Sequence, residues 1–174
     1  MSAATASFEQ VNTLATHTAL SAWAWAGDFL IVIVLFAALF LFAWYVGKGQ
    51  LVALLMSLYA AYALYVLFPY TSLLPTAPAS TALACLVGLY AALTLAVYIV
   101  LRRIVVSDFL YIGIIGIAVL ALLGACFILA LAYQVFPVHT VYTFSPAIDV
   151  FFAPKNWFFY WFVAPLIGLI FLAR

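Results

Sequence analysis

Charge is nearly missing from this chain. Its 174 residues include five Lys or Arg and four Asp or Glu, 5% in all. An ordinary soluble domain carries roughly 25%. So few polar side chains cannot cover a water-facing surface, which excludes a soluble enzyme and a disordered tail. A net charge of +1 offers no cationic patch, which excludes a nucleic-acid partner. Cysteine is also scarce. Cys85 and Cys126 make neither a disulfide framework nor a metal-ligand spacing. The chain begins without a basic stretch, and its first charge is Glu9, so it does not read as a secretory signal.

What is there is hydrocarbon. Hydrophobic residues make up 72% of the chain. A membrane-spanning helix needs about 20 mostly apolar residues. Five segments qualify: Phe29–Val46, Leu51–Phe68, Thr81–Leu101, Phe109–Phe136 and Trp157–Ala173. The tight turn Gly47-Lys48-Gly49-Gln50 joins the first two. Pro69, Arg102-Arg103, Pro137 and Arg174 mark the later ends. The fourth is long for one bilayer and is expected to tilt. The fifth contains Pro165, which removes a backbone donor. A transmembrane β-barrel would alternate apolar and polar residues. These runs are apolar on both faces, so the expected fold is all-α: a polytopic five-helix membrane bundle over residues 28–174. Residues 1–27 read as an amphipathic outer segment. There Ser7 and Gln10 form a capping-box pair, Phe8, Val11, Ala15 and Ala22 recur at helical spacing, and Trp23 and Trp25 suit the interface.

The few charges orient the bundle. With five spans, one side receives Lys48, Arg102, Arg103 and Arg174, and the other receives Lys155 alone. The positive-inside rule then places the N-terminus outside and the C-terminus in the cytoplasm. The acids divide the opposite way, with Glu9, Asp28 and Asp149 outside and Asp108 inside. Asp28, Asp108 and Asn156 are placed to cap the first, fourth and fifth spans. Ser145-Pro146 looks like a cap followed by proline, opening a short outer helix over Pro146–Phe152.

No catalytic, metal or cofactor site is legible. His17 and His139 stand alone on the outer side, without the further ligands that zinc or haem needs. Cys85 and Cys126 fall at depths about 9 Å apart, too far for a disulfide. No charge lies between Gly49 and Leu101, against the pattern of an ion-coupled transporter. Ser57 and Thr94 can bond back to their own helices. Gln134 sits near the outer end of its span and can reach the interface.

Small residues are the most ordered signal. Gly49, Ala53, Ser57 and Ala61 repeat at every fourth place in the second span, and Ala84, Gly88, Ala92 and Ala96 in the third. Gly113, Gly116 and Gly124 share a face of the fourth. In lipid, close backbone approach drives helix association, so these positions are expected helix contacts, within the bundle or with a partner. Tyr59, Tyr62 and Tyr65 run at i, i+3, i+6, followed by Tyr70. The outermost two suit the interface. Tyr59 lies mid-span and needs a buried polar contact.

Three groups of residues carry a family resemblance. They are Asp28-Phe29-Leu30 before the first span, Gly47-Lys48-Gly49 in a short turn, and Arg102-Arg103 with Asp108 before a long fourth helix. Over Asp28 to Phe136 the chain resembles the colicin V production protein family of bacterial inner-membrane proteins. The fifth helix and the uncharged loop Pro69–Ala79 depart from that four-helix pattern. The later part, Ser145-Pro146 and Asn156–Arg174, looks like the extra C-terminal helix of membrane proteins from small-genome bacteria. The family has no settled catalytic residues to carry over. The resemblance implies an accessory protein of the bacterial inner membrane.

The expected function is a non-enzymatic scaffold or membrane subunit. Its partners would be the lipid bilayer and itself or another membrane protein. No cofactor is expected. The alternatives are a passive channel or carrier for a neutral or lipidic solute, lined by Tyr, Ser and Thr, and a lipid-directed enzyme. The enzyme reading suffers because Asp28, Asp108, Asp149 and the histidines are scattered over both sides.

Overall fold

The computed structural model describes residues 27, 29–70, 77–104, 113–136, 138, 141 and 146–172. These form six helices in chain order: α1 (Phe29–Val46), α2 (Lys48–Val66), α3 (Ala79–Ile104), α4 (Ile114–Gln134), α5 (Pro146–Phe152) and α6 (Lys155–Leu172). No strand occurs among the described residues. All but the short α5 are long and apolar enough to cross a membrane. Their flanks carry exposed Ile33, Val66, Leu95, Ile115 and Ile170. Water penalises such a surface, whereas hydrocarbon does not.

Two helices are central and the others surround them. α2 buries Leu51, Leu55 and Leu58, and α4 buries Leu120, Phe127 and Leu131. α3 buries only Tyr90 and Thr94, and α6 only Pro165. α3 runs antiparallel along α2: Tyr90 reaches Leu58, and Tyr98 reaches Gln50. α6 runs antiparallel along α4, with Phe162 beside Phe127. The contact between α2 and α4 is narrower. Leu39 and Ala43 of α1 join the same core.

That seam closes at Gly124. A Cβ there would lie 2.8 Å from Leu55 Cδ2 and 3.1 Å from Leu39 Cδ1, so three helices meet where a side chain is missing. Gly168 does the same for α6, where a Cβ would lie 2.6 Å from Leu123 Cδ1.

Three local expectations are corrected. The turn between the first two spans is shorter than Gly47–Gln50. Gly47 alone turns the chain at φ 119°, ψ 155°, and Lys48, Gly49 and Gln50 are already helical. Only glycine populates that region readily. The fourth helix is not continuous from Phe109. Gly113 is extended (φ −70°, ψ 171°), and its carbonyl accepts the Ile117 N–H as α4 begins. Asn156 does not cap α6. The helix starts at Lys155, and the Pro154 carbonyl accepts the Trp157 N–H. Tyr65, in the last turn of α2, packs edge-on against Tyr90 and Phe136. The expectations on Ser7, Gln10, His17, Asp28, Asp108, His139 and Arg174 lie outside the described residues.

Candidate functional site

The mid-bundle polar node begins with Tyr59. Its hydroxyl donates to the Phe162 carbonyl of α6 at 2.6 Å. The ring stacks on Phe127 (centroids 4.5 Å apart) and meets Phe162 edge-on at 4.9 Å. Pro165 stands three residues further along α6. Lacking an N–H, it leaves the Trp161 carbonyl without its helical partner and loosens the turn containing Phe162. The carbonyl that Tyr59 reaches is the next one, that of Phe162. Four further hydroxyls are also engaged inside the protein. Ser57 donates to Leu54 O at 2.6 Å, Thr94 to Tyr90 O at 2.9 Å, Tyr90 to Leu58 O at 2.7 Å and Tyr98 to Gln50 Oε1 at 3.1 Å.

The small-residue positions divide by environment. Gly49, Ala53, Ser57 and Ala61 of α2 are all buried. Gly116 and Gly124 of α4 are buried, whereas Gly113, ahead of the helix, is exposed. On α3 the same spacing points outward: Ala84, Gly88, Ala92 and Ala96 are all exposed. A Cβ added at Gly88 would meet nothing within 4 Å. Spacing identifies a face of a helix but not what covers it. Gly168 is a close-approach glycine outside these rows. Its signal was Ala164, four residues earlier.

Beside that face lies a groove of about 420 Å³ between α3 and α4, floored by α2. Leu58, Tyr90, Thr94, Leu131 and Phe136 form its buried floor, and Val87, Ala91 and Leu95 its exposed rim on α3. The Tyr90 and Phe136 rings meet edge-on at 5.5 Å near one end. The hydroxyls of Tyr90, Thr94 and Tyr98 along the groove all donate to protein acceptors. The groove therefore offers its contents an almost wholly apolar wall. Sequence reading misses it because its walls come from three helices far apart in the chain.

At the Lys155 end, α5 is latched onto the bundle. Gln134 Nε2 donates to the carbonyls of Phe152 (3.1 Å) and Ala153 (2.8 Å). The Trp161 indole donates to Phe151 O at 3.0 Å, and its ring stacks on Phe152 at 5.1 Å. Tyr133 donates to Asp149 Oδ1 at 2.9 Å. Gln134 thus caps the last carbonyls of α5 instead of merely facing the interface.

The described charges segregate by end. Lys48 opens α2 and Arg102 and Arg103 close the antiparallel α3, so the three share one end. Lys155 and Asp149 lie at the other. Cys85 and Cys126 are free, half-buried thiols. Among the described residues no three His, Cys, Asp or Glu side chains gather. No family model, curated protein or solved structure matches the chain.

Proposed function

We propose that this chain is a small non-enzymatic integral membrane protein, a scaffold or membrane subunit that works through helix–helix association. One observation carries the reading. α3 packs on α2 along one side and leaves Ala84, Gly88, Ala92 and Ala96 exposed on another. A small-residue face lets a second helix approach closely, which is where association in lipid finds its energy. The equivalent row on α2 is already buried inside the chain. The partner is a second copy or another membrane protein. The resemblance to the colicin V production protein family supports an accessory role in the bacterial inner membrane. The cluster of Lys48, Arg102 and Arg103 opposite Lys155 supports a cytoplasmic location for that end, with the N-terminus outside.

Native mass spectrometry in mild detergent, with cysteine crosslinking at Ala92→Cys, tests this reading. Expected are a complex containing two or more chains or a co-purified membrane protein, a crosslink at that position, and loss of both in Gly88→Leu. A strict monomer that copurifies with no protein would overturn it. The second reading, passive passage of a lipidic solute, is favoured only by the apolar groove. Passage of a hydrated solute has less support, because the hydroxyls of Ser57, Tyr59, Tyr90 and Thr94 donate within the protein. Flux of a lipidic solute into liposomes that is lowered by Leu95→Trp, at the rim of the groove, would favour the second reading.

A further inference from the structure

We propose that the groove between α3 and α4 binds one acyl chain of an anionic phospholipid whose headgroup is held at Arg102. The proposal rests on the membrane-spanning reading but not on association through α3. Three observations carry it.

The first is the lining. The groove holds about 420 Å³, within the roughly 300–1,000 Å³ of ordinary ligand sites. Its hydroxyl protons are donated to protein acceptors, so a polar guest would lose its hydrogen bonds with water and gain none from these donors. A hydrocarbon guest has no such loss.

The second is direction. Ala91, Leu95, Tyr98 and Arg102 fall at i, i+4, i+7 and i+11 of α3, along a single face. The rim of the groove therefore runs straight into an exposed guanidinium, with Arg103 beside it. At the far end, Phe136 and Val138 line the groove and offer no charge. One end favours an anion and the other only hydrocarbon, which is the polarity of a phospholipid. From Val87 to Arg102 the helix rises about 22 Å, long enough for a chain crossing one leaflet, about half of the roughly 30 Å core.

The third is shape. A partner helix seeks small residues, but Leu54, Ile128 and Leu131 present branched side chains along the groove. The Ala84–Ala96 row lies on the neighbouring face of the same helix. A flexible chain fits a furrow between bulky side chains that a second backbone could not enter.

The full chain, reconstituted in nanodiscs of equimolar phosphatidylglycerol and phosphatidylcholine with identical acyl chains, is released for native mass spectrometry. Expected is one retained lipid per chain, enriched in phosphatidylglycerol by about fivefold, the preference one arginine confers near a headgroup. Arg102→Gln should keep the lipid and lose the enrichment. Leu95→Trp, at an exposed position, should displace the lipid, and Ala91→Leu serves as a second, smaller block. Gly88→Leu should leave retention unchanged, which separates this site from the association surface. Three outcomes would overturn the proposal: no retained lipid in the parent chain, equal retention of both lipids, or full retention in both blocking variants. A dimer lost in Leu95→Trp with lipid retention unchanged would also overturn it, by assigning the groove to a second copy.

Discussion

The Tyr59 hydroxyl donates to the Phe162 carbonyl at 2.6 Å, joining α2 to α6 across 103 positions of sequence. The acceptor lies in the helical turn that Pro165 deprives of a donor. A kink-prone helix is thus tied to the centre of the bundle by one phenol. Tyr59→Phe removes only the donor and keeps the ring on Phe127. It should lower stability by about 1 kcal/mol, the usual worth of such a bond in a membrane bundle. Tyr59→Leu also loses the stacking and should cost about 2 kcal/mol or more. Thermal unfolding in one detergent would rank the two. Equal midpoints for Tyr59→Phe and the parent would remove the bond from the list of stabilising contacts.

Gly124 and Gly88 should respond oppositely to a larger side chain. Gly124→Val drives atoms into Leu55 and Leu39, which are 1% and 7% exposed and have little room to retreat. Overpacking of this kind costs about 1–3 kcal/mol. Gly88→Ala meets open space and should be neutral or stabilising by up to about 1 kcal/mol through helix propensity. Unfolding midpoints measured side by side suffice. A tolerated Gly124→Val would mean that the seam is looser than its distances state.

Gly47→Ala tests the turn. Nothing lies near a Cβ at this position, so any effect is purely conformational. The φ of 119° with ψ of 155° falls in a region essentially reserved for glycine, and strain there is of order 1–3 kcal/mol. The variant should unfold earlier than the parent, while Val46→Ala, exposed and helical, should not. The reverse ranking would dismiss the turn as a constraint.

The α5 latch should be visible in amide exchange. Gln134→Leu frees the carbonyls of Phe152 and Ala153, and Trp161→Phe frees that of Phe151. Each change should speed exchange across 148–153 at least severalfold, consistent with about 1 kcal/mol per lost bond. The core of α4 around Phe127 should not change. Uniform acceleration throughout the chain would point to global destabilisation instead of a released latch.

The sequence was most legible in the helices long and apolar enough to cross a membrane. Hydrocarbon thickness sets span length, so Phe29–Val46 and the other long helices stand out as apolar runs. Tyr59 was legible as the mid-span member of the tyrosine row, since a buried hydroxyl requires a partner. The identity of that partner was not, because Phe162 offers a backbone carbonyl, which every residue has. The equal spacing on α2 and α3 conceals opposite environments, for neighbours are a property of the assembled bundle. Gln134 reads as an interface residue until α5 returns to meet it. Gly113 shows how one extended residue sets the start of a helix that hydropathy alone would begin earlier.

The arrangement of pairs has a consequence for synthesis. α2 and α3 are consecutive, so their antiparallel contact is available as soon as α3 has left the ribosome. α4 meets α6 only after α5 and α6 are made. The seam at Gly124 therefore joins a unit completed early to one completed late. Until α6 is made, the Phe127 ring has Tyr59 of α2 on one face but lacks its edge-on contact with Phe162.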